Sequence, residues 1–262
     1  MLKYAFLLLF VALMVGVGLY SKKKVTTVQD FFLGGRQMGP WISAFAYGTT
    51  YFSAVIFIGY AGKSGWSFGI SATWIGIGNA LLGSLLAWLV LAKRTRKMTH
   101  ELNASTMPEF FEKRYGSKAM KIATALIIFV FLVPYSASVY QGLSYLFEKV
   151  FGIPFIYCML SIAVLTGVYL LLGGYVATAI NDFVQGIIML IGLALMLFFV
   201  VSHPTVGGLG DGIRKLSEIP GDGENLVKIF SGQPLDLLSL IILTSMGTWG
   251  LPQMVHKFYA IK

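Results

Sequence analysis

The stretch TAINDFVQGIIMLIG, residues 178–192, decides how this chain is read. From Ile187 onward it is apolar enough for lipid, yet Asp182 and Gln185 stand in its first turns. A charged side chain at mid-bilayer costs at least roughly 2.5–3.5 kcal/mol, and less towards a helix end. Asp182 is the only acidic residue well inside an apolar run; Asp236 merely opens the last one. Two readings stand side by side. Either Asp182 reaches the interface or favours a helix N-terminus, or it is an ion ligand or proton carrier within a bundle. Gln185 is three residues on and shares its helical face. The pair could line a cavity while Ile187, Ile188 and Leu190 meet lipid or packed neighbours.

Working outward, the same apolar character recurs along all 262 residues. The chain is 56% hydrophobic and only 12% charged, with mean hydropathy +0.77; soluble domains average about 25% charged. Long unalternating apolar runs read as membrane helices rather than barrel strands. Spans are expected near 2–20, 41–62, 69–92, 118–147, 155–172, 177–201 and 235–257. The loop at 202–234 carries the turn signals His203-Pro204, Gly207-Gly208 and Pro220-Gly221. The first span lacks a small-residue cleavage site, and Lys22, Lys23 and Lys24 follow it rather than precede it, so it reads as a retained helix. One cysteine, Cys158 in an apolar run, gives no disulfide framework and no cysteine metal site.

The net charge of +9 is a topology signal rather than a nucleic-acid footprint. Alternate loops receive fourteen and six of the twenty basic residues, the richer side holding Arg36, Lys93–Lys97 and Lys257 among others. The positive-inside rule then puts the N-terminus outside and residue 262 inside. KRTRK at 93–97 fits topology control, or contact with anionic lipid. Trp41, Trp66 and Trp88, near span ends, fit interfacial anchors.

Two other spans are interrupted. AFAYGTTYFSAVIFIGYAG, residues 44–62, places Gly48, Thr49, Thr50, Tyr51 and Ser53 mid-span. Unwinding there would free carbonyls for a cation and helix ends for an anion; a plain helix-packing face is the other reading. LTSMGTWGLPQMV, residues 243–255, holds Gly247, Gly250 and Pro252, and Pro252 must break the backbone hydrogen-bond ladder. Paired interrupted helices point to a binding site between them.

These stretches, with DFFLGGRQMGPW (30–41), ASTMPEFFEKRYG (104–116) and LLGGYVATAINDFVQG (171–186), resemble the sodium:solute symporter family over nearly the whole chain. The resemblance implies an all-α membrane protein with the leucine-transporter-like inverted-repeat fold. Residues 1–40 would be an extra helix and loop, 41–201 the first five-helix repeat, 202–234 an extracellular loop, and 235–262 the opening of the second repeat. It implies a chain of about half a transporter, its second repeat lying in the same chain or a partner. It also implies sodium as coupling ion, with no other cofactor. Thr49 and Phe52 match positions that give backbone carbonyls to the main sodium site, and Asp182 matches an aspartate along the inner sodium path. Tyr51, Ser53, Ile56 and Asn79 match substrate-pocket positions, as do Tyr135, Thr244 and Thr248. The match around Asn79 is loose, because the preceding turn is one residue longer. Proline-transporting members typically carry an aspartate where Tyr51 stands, and sugar-transporting members a polar residue where Ile56 stands. The expected solute is a small carboxylate-bearing molecule, an amino acid such as proline or a pantothenate-like acid.

Other chemistries lack their residues. His100, His203 and His256 have no metal-ligand spacing and are expected at solvated or interfacial positions. No histidine lies deep in a span to activate a serine, so an enzyme is not expected. Gly173-Gly174 lacks the lysine of a phosphate loop and reads as a tight turn. The competing function is a solute-sensing membrane domain of a signalling protein, which a downstream cytoplasmic module would identify.

Overall fold

The computed structural model describes residues 2–52, 60–230 and 233–262. All named elements among them are helical. Helix α1 (Leu2–Lys22) is followed by the short α2 (Val28–Leu33) and then α3 (Pro40–Tyr51). A short α4 (Gly62–Phe68) turns at Gly69 into a run to residue 101, made of α5 (Thr73–Gly78), two wider π-type stretches at Asn79–Leu86 and Trp88–Ala92, and α6 (Lys93–Glu101). Then come α7 (Met107–Tyr115), α8 (Lys118–Phe151), α9 (Phe155–Ser202), α10 (Leu209–Ser217), α11 (Gly223–Leu226), α12 (Pro234–Met246) and α13 (Pro252–Tyr259).

Among the described residues, four helical runs are long and apolar enough to cross a membrane: α1, residues 62–101, α8 and α9. Helix α1 has 21 residues, about 32 Å at 1.5 Å per residue, enough for a hydrocarbon core of about 30 Å. With 48 residues, α9 would reach about 72 Å if straight. It is not straight. Gly174 has φ 50° and ψ −141°, which a residue with a Cβ rarely adopts. Gly18 of α1 abuts Tyr169, while Met14, one turn away, meets Gln185. Tyr169 and Gln185 would stand about 24 Å apart on a straight helix, so the chain folds back at Gly174. The expected tight turn at Gly173-Gly174 is present, and α9 holds the two spans placed at 155–172 and 177–201.

The last expected span is also two pieces. Helix α12 stops at Met246, residues 247–251 form turns, and Pro252 opens α13 as its first residue. Helix α3 ends at Tyr51, with Phe52 at φ −85° and ψ 66°, in the middle of the span expected at 41–62. The loop at 202–234 holds two short helices and packs on the start of the third span. The Trp74 indole donates to the Ile229 carbonyl at 2.9 Å and stacks on Phe230.

The buried core gathers where α3, α9 and α13 meet. One cluster includes Leu33, Met38, Tyr175, Val176 and Tyr259; a second holds Tyr47, Tyr51, Ala92, Met254 and Phe258. Two expectations are corrected here. Trp88 stacks edge-on against Tyr47 and Phe258 inside the second cluster rather than anchoring an interface. His256 sits against the rings of Tyr175 and Tyr259 rather than in solvent, because α13 turns that face into the core. Trp41 and Trp66 are exposed, as interfacial anchors would be.

Loop ends are pinned by caps and by one arginine. Thr27 and Asp30 form a reciprocal capping box at α2. Arg36, itself at φ 55°, donates to the carbonyls of Thr99 and Ala104 at 3.2 and 2.9 Å and so ties the loop before α3 to the turn between α6 and α7. Beyond α13, Ile261 pairs with Met38, and Lys262 N donates to the Met38 carbonyl. By contrast α8 packs mainly on α7 and α9 and leaves large side chains such as Phe129 and Phe131 exposed.

Candidate binding site

The end of α3 faces the middle of the 69–101 run and the end of α12. The Tyr51 hydroxyl donates to Asn79 Oδ1 at 2.5 Å and reaches the Thr244 carbonyl at 3.3 Å. Asn79 Nδ2 in turn donates to Thr244 Oγ1 at 3.0 Å and to the Ile75 carbonyl at 2.7 Å. Three residues far apart in sequence thus form one closed polar knot, with Tyr51 and Asn79 buried. Burial of such groups is tolerated because each finds a partner. Gly83 makes room for the knot: a Cβ there would overlap the Tyr51 hydroxyl. Asn79 also begins the wider π-type winding, the way a helix takes in an extra residue.

The knot lies beside the ends of α3 and α12. Phe52 packs its ring on Tyr51. Thr248 lies in the turn between α12 and α13, its hydroxyl donating to the Ser245 carbonyl at 2.8 Å. The Trp249 indole donates to the Leu82 carbonyl at 3.0 Å and fixes that turn against the π-type stretch. Ser53 and Ile56 lie outside the described residues. Tyr135 stands on α8, half-exposed and apart from the knot.

Asp182 is at a second place, where α9 meets α13. Its Oδ2 accepts from Lys257 Nζ at 2.9 Å, and the two side chains are 23% and 9% exposed. The Lys257 ammonium also lies over the Tyr175 ring, 5.3 Å from its centroid. Gln185, three residues on, contacts the Met14 sulfur of α1 at 3.1 Å through its amide nitrogen. Thr49 packs its methyl beside Gly186, one turn along from Asp182, and donates its hydroxyl back to the Phe45 carbonyl at 2.8 Å.

The sequence reading missed Lys257, which it counted as a loop cation. The signal was available: an intramembrane carboxylate pairs with a cation or faces water, and Lys257 lies more than a turn beyond Pro252. It also missed two buried amides, Asn181 and Gln253, whose side-chain atoms have no hydrogen-bond partner among the described residues. The first place offers hydroxyls, an amide and carbonyls near two helix breaks, and the second a carboxylate already paired with an ammonium. Among the described residues no three His, Cys, Asp or Glu side chains gather to hold a transition metal.

The fold and these two polar sites define a multi-pass helical membrane protein whose interrupted helices meet. Residues 31–262 match the sodium:solute symporter family model. The chain is 32% identical over 256 residues to the osmoregulated proline transporter OpuE of Bacillus subtilis, covering 97% of this chain and 50% of that protein. It is 33% identical over 263 residues to sodium/proline symporter 2 of Staphylococcus saprophyticus, and 32% over 268 to the sodium/proline symporter of Staphylococcus aureus, covering 99% of this chain and 50% of each relative. The chain belongs to the sodium:solute symporter family, and it spans about half the length of these relatives.

Proposed function

We propose that this chain is part of a sodium-coupled symporter for a small carboxylate-bearing solute, with proline as the leading substrate and a pantothenate-like acid next, and not an enzyme. The observation that carries this reading is the Tyr51–Asn79–Thr244 knot, which joins the end of α3 to the end of α12 at two breaks that face each other. Helix breaks of this kind present backbone groups to substrate and ion. The names of the relatives, symporters of sodium and proline, supply the solute class.

In this reading the leucine-transporter-like arrangement applies. Residues 1–40 form the extra helix and loop, 41–201 the first repeat, 202–234 an outer loop and 235–262 the start of the second repeat. That second repeat completes the transporter in the same chain or a partner. The protein sits in the plasma membrane with its N-terminus outside, which accords with the basic loops on the opposite side. Tyr51, Ser53, Ile56, Asn79, Thr244 and Thr248 line the solute pocket. Tyr135 joins them from α8, whose exposed faces leave it free to be covered. Thr49 and Phe52 contribute to a sodium position at the break of the second span, and Asp182 is a later station on the sodium path.

The geometry assigns the chain's residues simple tasks. The Tyr51 hydroxyl and the Asn79 amide hold one another in a fixed orientation, so a solute meets a pre-set polar surface. Trp249 and Phe52 shield that surface from the side. The test is uptake of radiolabelled proline and pantothenate by the full-length gene product in proteoliposomes, in sodium and in choline medium. Sodium-dependent uptake of either compound is expected. Equal uptake in both media, or uptake of neither, overturns the reading.

A further inference from the structure

The pairing of Asp182 with Lys257 bears on how sodium and the protein's own charge share one carboxylate. Lys257 is 7% exposed, and its ammonium lies 2.9 Å from Asp182 Oδ2. Its other neighbour is the Tyr175 ring face. An ammonium carries three N–H donors, and among the described residues a single carboxylate oxygen, Asp182 Oδ2, accepts from it. The hold is specific but incomplete. Lys257 is in the last turn of α13, a helix of eight residues separated from α12 by the turns at 247–251.

One turn back on the same face of α13 stands Gln253, both of whose side-chain polar atoms are buried without a hydrogen-bond partner among the described residues. Its amide oxygen offers the ammonium a second place to bond. The carboxylate has one negative charge to give. Two monovalent cations on it would leave a net positive charge in a largely buried site beside the Tyr175 ring, and an uncompensated buried charge is strongly disfavoured.

We propose that Lys257 is a built-in rival for the cation position at Asp182: its ammonium and a sodium ion exclude one another there, and Lys257 thereby sets the sodium concentration the protein requires. This rests on the reading of Asp182 as a sodium station. Sodium arriving at Asp182 sends the Lys257 ammonium towards Gln253. Sodium leaving lets the ammonium return, so the carboxylate is never left bare as the ion departs.

The experiment measures the sodium concentration giving half-maximal proline uptake by the full-length gene product in proteoliposomes. Lys257→Met should lower it about tenfold, within the usual span of coupling between linked sites. Lys257→Arg keeps the charge and adds a planar fork suited to carboxylate, so it should raise it. Asp182→Asn should raise it in either background. If Asp182→Asn leaves the value unchanged, the station reading fails and the rivalry with it. If Asp182→Asn raises the value but Lys257→Met does not lower it, or Lys257→Arg does not raise it, the rivalry alone is overturned. Because Lys257→Met leaves a buried carboxylate unpaired, its thermal stability is measured as well. A larger sodium-induced rise in melting temperature than in the parent, with choline as control, supports the proposal; an equal or smaller rise overturns it.

Discussion

At one joint, Tyr51, Asn79 and Thr244 tie α3, the 79–86 winding and α12 together with neutral groups. At the other, α9 and α13 meet through one full charge of each sign. The neutral joint is closed, since each partner satisfies the next and nothing charged is needed. Its net worth is about 1 kcal/mol per hydrogen bond, and its larger effect is to fix side-chain orientation. Under the proposal above, the charged joint exchanges its cation, sodium taking the place of the ammonium on Asp182. Orientation is set in one place and ion competition in the other.

The largest effect should come from unbalancing the charged joint. Asp182→Asn strands the buried Lys257 ammonium and should cost about 3–5 kcal/mol, read as a lower unfolding temperature of the purified full-length protein in detergent. The double variant Asp182→Asn with Lys257→Met should recover much of that loss. A single-variant loss no larger than that of a surface substitution, about 0.5 kcal/mol, would break the comparison.

The neutral joint should respond to volume next. Gly83→Ala puts a methyl group on the Tyr51 hydroxyl, an overpacking worth about 1–3 kcal/mol. Adding Tyr51→Phe should relieve part of it, since the phenol oxygen is the atom struck; melting curves of the single and paired variants check this. Tyr51→Phe alone leaves Asn79 Oδ1 without its donor and should cost about 1–2 kcal/mol. It should also weaken proline binding without shifting the sodium requirement. A change in sodium requirement as large as that of Asp182→Asn would mean the two joints are not separate.

The smallest effect lies at a loop. Hydrogen bonds from Thr27 and Thr26 hold the Asp30 carboxyl below its ordinary value. A depressed folded value means that Asp30 supports α2 fully above its unfolded value of about 3.9, and that the support is lost as pH falls through the folded value. Hydrogen exchange in residues 28–33, corrected for intrinsic rates, should converge on that of Asp30→Asn as pH drops from 5 to 3. A parent and variant that already agree at pH 5 would remove Asp30 from the account.

Much of the architecture was legible because the bilayer leaves few choices. Long apolar runs must be helices, and Gly174, Pro252 and the Gly48–Thr50 cluster punctuate them at the places where the structure bends or stops. Tyr51, Asn79 and Thr244 were named from separate stretches. That Tyr51 reaches Asn79 and Thr244 directly depends on Gly83, a residue with no pattern of its own. Lys257 was misread for a related reason. Charge counting assigns lysines to loops by position along the chain, whereas the break before Pro252 carries this one back into the protein. Trp88 and His256 failed likewise: nearness to a span end says nothing about which neighbours cover it.

One further consequence follows from the stacked rings of Tyr47, Phe258 and Trp88. They fasten α3 to α13 along their length, while Ile261 and Lys262 clasp Met38 at the foot of α3. On the proposed reading, α3 and α13 move as one lever, and a solute lodged between Phe52 and the turns at 247–251 resists or permits that motion by its own size.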